Sequence, residues 1–310
     1  MIPIKTRDSS RLSVAHADNI LQYYKVYNNG THLSKIDVWI KTNLDKDLSF
    51  EKVLSAGHEE LQAIAKKFKK KRRKPPFGAS ITGIKAQYER FRTTRNSPFR
   101  TAMNDTYDGY VFAANLGLSV CPYCNRNYIF NIPETTRTTC ELDHFYDKAA
   151  FPFFALSFYN LIPSCKTCNH LKSNASGEFY NLHRGDHTER ELLEFSCKIT
   201  GAGFLDDTRN LELSYVVDST YQDTFDQLRI KELYSKHLDL VQEVIKKRLI
   251  YSSEYIDQMY NDYRGRLFNN RDQVLNHLLS SYIQEDEIHL RPFAKLIRHI
   301  WQQLEYLDNL

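Results

Sequence analysis

Two cysteine pairs constrain this chain more than anything else in it. Cys121-Pro122-Tyr123-Cys124 and Cys165-Lys166-Thr167-Cys168 stand roughly 40 residues apart. Two CxxC pairs at such a separation match a structural zinc site, in which four thiolates close a tetrahedron. With sulfur at all four positions, none is left open for water, so the ion would staple the fold and take no part in chemistry. It would tie the first knuckle to the helix that follows the second pair. Cys140 and Cys197 lie outside the pairs and read as buried or idle thiols.

A second constellation is interleaved with the first. It comprises Glu141-Leu142-Asp143-His144-Phe145, then Asn160-Leu161-Ile162-Pro163, then Asn169 and Lys172 just after Cys168. The order CxxC, (D/E)xDH, a hydrophobic stretch, NLxxxCxxC(H/N)xxK resembles the HNH endonucleases, the ββα-metal nucleases, and in particular those clamped by a four-cysteine zinc. The flanking phrases Cys-Pro-Tyr-Cys-Asn-Arg-Asn-Tyr, Asp-His-Phe-Tyr and Leu-Ser-Phe-Tyr-Asn-Leu-Ile-Pro-Ser-Cys resemble bacterial HNH proteins of anti-phage defence, such as the HNH partners of Septu-type ATPases. The resemblance covers about a sixth of the chain. It departs from the family at one letter: the third position is Asn169, making an H-N-N variant.

The resemblance implies metal-dependent hydrolysis of phosphodiester bonds, leaving 5′-phosphate and 3′-hydroxyl ends. His144 is the expected general base, since an imidazole titrates near neutrality and can take a proton from water. Asp143 is a hard carboxylate suited to Mg²⁺ or Mn²⁺. In a regular strand these neighbours would point to opposite faces. Both reach one site only if the strand ends or turns at the pair, as the resemblance implies. Asn169 would add a second ligand through its amide oxygen, with His170 as its rival. On a helix the two diverge by about 100°, so only one should face the ion. The CxxCNxxK spacing favours Asn169, whereas His170 would favour softer metals. Lys172, three residues on, shares the face of Asn169 and reads either as a phosphate contact or as a solvated lysine. The resemblance assigns Asn160 to holding the loop that carries His144; capping the following helix is the other reading. Asp147, Lys148, His183 and His187 read as surface residues. DNA is the expected substrate over RNA. A tRNA-cleaving toxin and a non-catalytic zinc-knuckle binding protein are the competing readings.

At 310 residues and 42% hydrophobic, the chain can bury a sizeable core. A net charge of +4 suits a polyanionic partner without requiring one. No apolar run approaches the ~20 residues of a membrane span, and residues 1–7 lack a signal-peptide core. Six cysteines without a leader suggest reduced thiols and a cytoplasmic protein. No GxxxxGK[ST] loop occurs, so any ATP-driven control must come from another polypeptide, an ATPase encoded nearby. The fold class expected is α+β and mostly helical, with a small zinc-stapled ββα module (116–190) between helical regions at 1–115 and 191–310.

In the first region, Leu61, Ile64, Ala65 and Phe68 form one helical stripe. The helix runs into Lys69, Lys70, Lys71, Arg72, Arg73 and Lys74 and stops at Pro75-Pro76. Eight of the nine residues 66–74 are basic, which reads as a phosphate-contacting arm or as a solvated helix end. Arg90, Arg92, Arg95 and Arg100 mingle with Tyr88, Phe91 and Phe99, a mixture that suits a nucleic-acid groove or, at helical spacing, a core. Residues 101–119 read as an apolar helix stopped by Gly117. Beyond the module, 195–199 and 211–217 alternate as two antiparallel strands. Helices resume near Tyr221, with Leu238, Val241, Ile245 and Leu249 on one face. Arg291-Pro292 is expected to open a last helix with Leu296, Ile297, Ile300, Trp301 and Leu304 inward.

Overall fold

The structure is a computed structural model describing residues 2–4, 8–71, 76–92, 98–104, 106–133, 137–173, 179–184 and 191–308. Arg72, Arg73 and Lys74 of the basic run, together with Arg95 and His187, lie outside the described residues. Among the described residues, seven α-helices precede the first strand: α1 (Ser9–Val26), α2 (Thr31–Asn43), α3 (Phe50–Ser55), α4 (His58–Lys69), α5 (Ala79–Arg92), α6 (Pro98–Ala102) and α7 (Gly109–Asn115). The spacing of their apolar residues says why they pack as they do. On α1, His16, Ala17, Ile20, Tyr23 and Tyr24 are buried on one stripe. On α5 the buried stripe is Ile81, Ile84, Tyr88 and Phe91. Tyr88, Phe91 and also Phe99 are therefore core residues, and the aromatic groove reading is set aside.

At the start of helix α4 the Glu60 carboxylate accepts from the Gly57 N–H at 2.9 Å, tying the first turn to the residue before it. Glu59 and Glu60 at its start and Lys66, Lys67 and Lys69 at its end both complement the helix dipole. Leu61, Ala65 and Phe68 are buried, and Ile64 is half-buried. The apolar stretch 101–119 is not one helix. Asp108 starts α7 afresh by accepting from the Val111 N–H at 3.0 Å, and a half-buried Arg100 guanidinium holds the same buried carboxylate at 2.7 Å. Gly117, with φ of +66°, takes the left-handed conformation that ends this segment.

The middle of the chain supplies two of the three antiparallel pairs: β1 (Asn131–Ile132) with β2 (Arg137–Thr138), and β3 (Glu141–His144) with β4 (Leu161–Ser164). Helix α8 (Lys166–Ser173) follows β4 directly, giving a strand–strand–helix succession. The register pairs Glu141 with Ser164 and His144 with Leu161. Between β3 and β4 the chain makes a long excursion whose Phe151, Phe153, Phe154 and Phe158 are buried.

The third pair, β5 (Leu193–Ile199) and β6 (Leu211–Val217), runs in unbroken register from Leu193↔Val217 to Ile199↔Leu211. Five further helices follow: α9 (Gln222–Gln227), α10 (Ile230–Tyr234), α11 (Leu238–Ile250), α12 (Ser253–Tyr263) and α13 (Arg271–Leu279). The chain then closes with α14 (Ala294–Asp308). On α11 the buried set is Val241, Val244 and Ile245, whereas Leu249 is exposed because the stripe leaves the core in the last turn. Phe293, at φ of +61°, precedes α14, so the helix opens after Pro292 and not on it. Leu296, Ile297, Ile300 and Trp301 are buried, and Leu304 is half-buried. The free edge of β5 is covered by α14: His299 Nδ1 accepts from the Phe195 N–H at 3.0 Å, and the Gln303 amide satisfies both backbone groups of Cys197 at 2.8 Å.

The C-terminal helices grip the first cysteine knuckle. Asn125, held at φ of +47°, accepts from the Lys295 N–H at 3.0 Å through its side chain and donates to the Ile288 and Arg291 carbonyls at 3.1 and 3.2 Å. The Tyr234 hydroxyl donates to the Cys124 carbonyl at 2.6 Å. From the other end of the chain, the Ile2 N–H donates to the Pro122 carbonyl at 3.0 Å. Buried residues from Ile4 to Trp301 join one apolar cluster. Among the described residues, no helix is long and apolar enough to cross a membrane.

Candidate active site

The four paired cysteines meet. The Sγ atoms of Cys121, Cys124, Cys165 and Cys168 all lie within 4.8 Å of one another, and every one of these residues is buried. The Cys124–Cys165 separation of 3.9 Å is far too long for a disulfide and close to the edge of a zinc–thiolate tetrahedron. Four ionised sulfurs buried this close together would need a cation to compensate them. Backbone and side-chain donors already point at the sulfurs: Asn127 Nδ2 at 3.2 Å from Cys165, and the Arg126 N–H at 3.4 Å from Cys124. The donor set fits a tetrahedral metal. Cys140 and Cys197 are half-buried and apart from it.

The cluster is wired directly to the second constellation. Tyr123 sits between the first two cysteines, fully buried, and its hydroxyl donates to Asp143 Oδ2 at 2.7 Å. Burial and the Asp143 charge push the Tyr123 pKa well above its usual value, so it remains a donor at every working pH. On the other side, α8 starts from Cys165 and contains Cys168. That anchorage sets the positions of Asn169 and Lys172. A metal held by these cysteines would fix two walls of one cleft.

That cleft has a volume of about 1020 Å³ and is lined by Glu141, Asp143, His144, Asn169 and Lys172, among others. Asp143 and His144, neighbours in sequence, both reach it because β3 ends at His144. The His144 ring is clamped from two directions. Its Nε2 donates to the Ala155 carbonyl at 3.0 Å, and the Tyr88 ring meets it edge-on with centroids 4.3 Å apart. A carbonyl can only accept, so Nε2 carries the proton and the neutral ring keeps its lone pair on Nδ1. Burial lowers the His144 pKa to about 4, so the ring is neutral at pH 7.

Asn160 is fully buried and ties both ends of the excursion that follows His144. Its Oδ1 accepts from the Tyr146 N–H at 2.7 Å, while its Nδ2 donates to the Phe154 carbonyl at 2.9 Å and more weakly to the Tyr146 carbonyl at 3.3 Å. It does not cap α8. Asn169 lines the cleft, whereas His170 is exposed and does not. The Asn169 amide nitrogen donates to the Glu141 carboxylate. That bond leaves the amide oxygen as the free acceptor. Glu141 and Asp143, two apart on β3, present their carboxylates to the same cleft. Asn169 lines the same cleft.

Lys172 is not solvated. Its ammonium lies 3.1 Å from Asp143 Oδ2 and 2.6 Å from the His144 carbonyl oxygen. Lys69 also lines the cleft, as does Lys66 one turn earlier on α4, while Lys70 and Lys71 do not. Asp147 is exposed, as expected, and Lys148 half-buried; both border the cleft, with the Lys148 ammonium 2.7 Å from Glu89. His183 is buried and donates to the Leu161 carbonyl at 2.9 Å, supporting the start of β4. Sequence reasoning assigned Tyr123 and Glu141 no role of their own and read Tyr88 only for a groove or a core. Glu141 had a signal, since it occupies the (D/E) position of the motif; the contacts of Tyr123 with Asp143 and of Tyr88 with His144 exist only in the fold. Protein-family models, curated proteins and solved structures provide no match to this chain.

Proposed function

We propose that this chain is a metal-dependent endonuclease of the HNH kind, with a structural zinc at Cys121, Cys124, Cys165 and Cys168 and a hydrolytic centre at Asp143, His144, Asn160 and Asn169. The observation that carries the reading is His144 at the end of β3, with Nε2 tied to the Ala155 carbonyl and Nδ1 left as a base beside Asp143. Mg²⁺ or Mn²⁺ held by Asp143 and Asn169 would supply Lewis-acid polarisation of the phosphoryl oxygen and stabilisation of the leaving oxygen. His144 takes the proton of the attacking water at Nδ1. Asn160 keeps the His144 loop in place, and Tyr123 holds the Asp143 carboxylate. Lys66, Lys69 and Lys172 give the cleft a cationic wall suited to a phosphodiester backbone. DNA is the substrate proposed, RNA the other arm of the assay. The chain would serve as a cytoplasmic anti-phage effector, controlled by an ATPase encoded beside it.

The test separates chemistry from structure. His144→Ala should fold, keep its zinc and lose about 10²–10⁴ in cleavage rate, as removal of a general base does. Asp143→Ala should fail differently, with activity partly restored by excess Mg²⁺ or Mn²⁺. Both are assayed on DNA and on RNA, with the neighbouring ATPase present. A His144→Ala protein that cleaves as fast as an active wild type would falsify the assignment.

A further inference from the structure

A cation already stands at Asp143. The Lys172 Nζ lies 3.2 Å from Oδ1 and 3.1 Å from Oδ2 of that carboxylate, and donates to the His144 carbonyl at 2.6 Å. Only 9% of the Lys172 side chain and 8% of the Asp143 side chain are exposed. This is not a surface pair, where water would do most of the compensating. Both charges are withdrawn from solvent, and each is answered chiefly by the other. The ammonium also rests 5.1 Å from the centroid of the Phe179 ring, which favours a cation in that position.

The pairing conflicts with the ligand role proposed for Asp143. A divalent ion on this carboxylate would sit within a few ångströms of the ammonium, and like charges that close in a poorly hydrated site repel strongly. One of the two must leave. Asp143 cannot, because β3 and the Tyr123 hydroxyl hold it. Lys172 can, because a four-carbon stem carries its charge and it borders the cleft a substrate would enter. A phosphodiester arriving there offers the ammonium a new partner and frees the carboxylate for the ion. Before the exchange the charges pair as lysine with aspartate; after it, as lysine with phosphate and aspartate with metal.

We propose that Lys172 is a latch: its ammonium holds Asp143 closed to divalent metal until nucleic-acid phosphate draws it away, so that metal and substrate bind with positive coupling. The proposal rests on the nuclease reading above and adds to it an order of assembly. Coupling of this kind is reciprocal, so the metal must tighten substrate binding by the same factor as the substrate tightens metal binding.

Binding of Mn²⁺, followed by the loss of the free-ion EPR signal, reads the latch without any turnover. The zinc-loaded full chain is titrated alone and with a duplex oligodeoxynucleotide, in a His144→Ala background so that the DNA survives and with DNA-only titrations subtracted. Lys172→Met, which keeps the bulk and removes the charge, should bind Mn²⁺ roughly tenfold or more tightly than its parent. Adding DNA should tighten Mn²⁺ binding by the parent and do little for Lys172→Met. The gain should vanish when Asp143→Asn is added. If Lys172→Met loses zinc or unfolds, Lys172→Gln, which still donates to the His144 carbonyl, takes its place. Unchanged or weaker Mn²⁺ affinity in these variants overturns the latch, and if the chain with His144 restored still cleaves DNA, the nuclease reading stands. The absence of any Mn²⁺ site in parent and variants, together with no cleavage, overturns both.

Discussion

Asp143 is held by two groups of opposite kind, and they set what a change at each should do. Tyr123 gives it a neutral hydrogen bond from inside the cysteine knuckle; Lys172 gives it a full charge from α8. Removing a hydrogen bond to a buried charged group typically costs about 1.5–3 kcal/mol. Tyr123→Phe should therefore lower the unfolding free energy by about that amount in a urea titration, while elemental analysis still finds zinc, because no sulfur has been touched. A Tyr123→Phe protein as stable as wild type would mean that Asp143 gains nothing from the hydroxyl. The sequence offers Asp143 and His144 as a pair through the motif they share with the family it resembles, which expects a hard ligand beside a base. It does not name Tyr123, because proline and tyrosine between two cysteines read as spacer. Nor does it reveal that the lysine three residues after Asn169 points back at the carboxylate and not out to solvent. That outcome depends on how α8 sits against β3, a tertiary fact.

At the scale of elements, α8 is the lever. Cys165 immediately precedes it, Cys168 lies in its first turn, and Asn169 and Lys172 follow, so the cysteine cluster and the cleft cannot be perturbed separately from this side. Zinc-finger-type sites contribute on the order of ten kcal/mol to folding. Cys124→Ser should accordingly give insoluble or partly unfolded protein, measured as lost zinc and lost secondary structure; a soluble, folded, zinc-free product would remove the metal from the account. Helix α4 makes a separate prediction. Lys66 and Lys69 face the cleft, and changing both to Gln should weaken DNA binding and reduce the slope of log affinity against log salt by about 1.8, at ~0.9 per phosphate contact. An unchanged slope would return these lysines to service of the helix terminus alone. The elements with strict local patterns were legible in advance: the hairpin β5–β6 from its alternation, α4 from its stripe and its basic end, α14 from its inward residues. The elements that mislead are those where a single residue resets the chain. Asp108 restarts a helix in what looks like one apolar run, and Phe293 delays the last helix past Pro292. The β3–β4 pair was legible through its motif and not through any strand pattern, since four residues are too few to alternate convincingly.

The whole molecule is built on imidazoles kept out of water, and this gives it a pH dependence. His16, His144 and His183 are buried, and desolvation lowers each pKa from the ordinary 6.5 to about 4. Each is spent as a neutral donor to a backbone carbonyl: His16 to Leu156, His144 to Ala155, His183 to Leu161. His16 and His144 tie α1 and β3 to the excursion between the strands, and His183 ties segment 179–184 to the start of β4, so their protonation would strike the frame of the cleft itself. Glu191 adds to the effect from the far side of the molecule. Burial alone would raise its pKa, but His299 and Lys295 beside it hold the carboxylate well below its usual range. The sign follows from which state binds the protons. Above pH 6.5 the three histidines are neutral in both states and stability is at its full value. Between 6.5 and 4 the unfolded chain takes up protons that the native chain refuses, so stability falls as pH falls. Each group contributes about 1.4 kcal/mol per pH unit at the steepest, and three together about 4. Glu191 contributes only lower down, as pH drops past the ordinary carboxylate value. Urea unfolding at pH 7.5, 6.0 and 5.0, with excess zinc and bound zinc monitored, should therefore show a loss of stability well before carboxylates titrate. His16→Gln, which can still donate to the Leu156 carbonyl but cannot ionise, should flatten that slope. A flat profile between pH 7.5 and 5.5 in wild type would mean that these rings reach water, and the tight carbonyl anchorage of His144 on which the catalytic reading depends would fall with it.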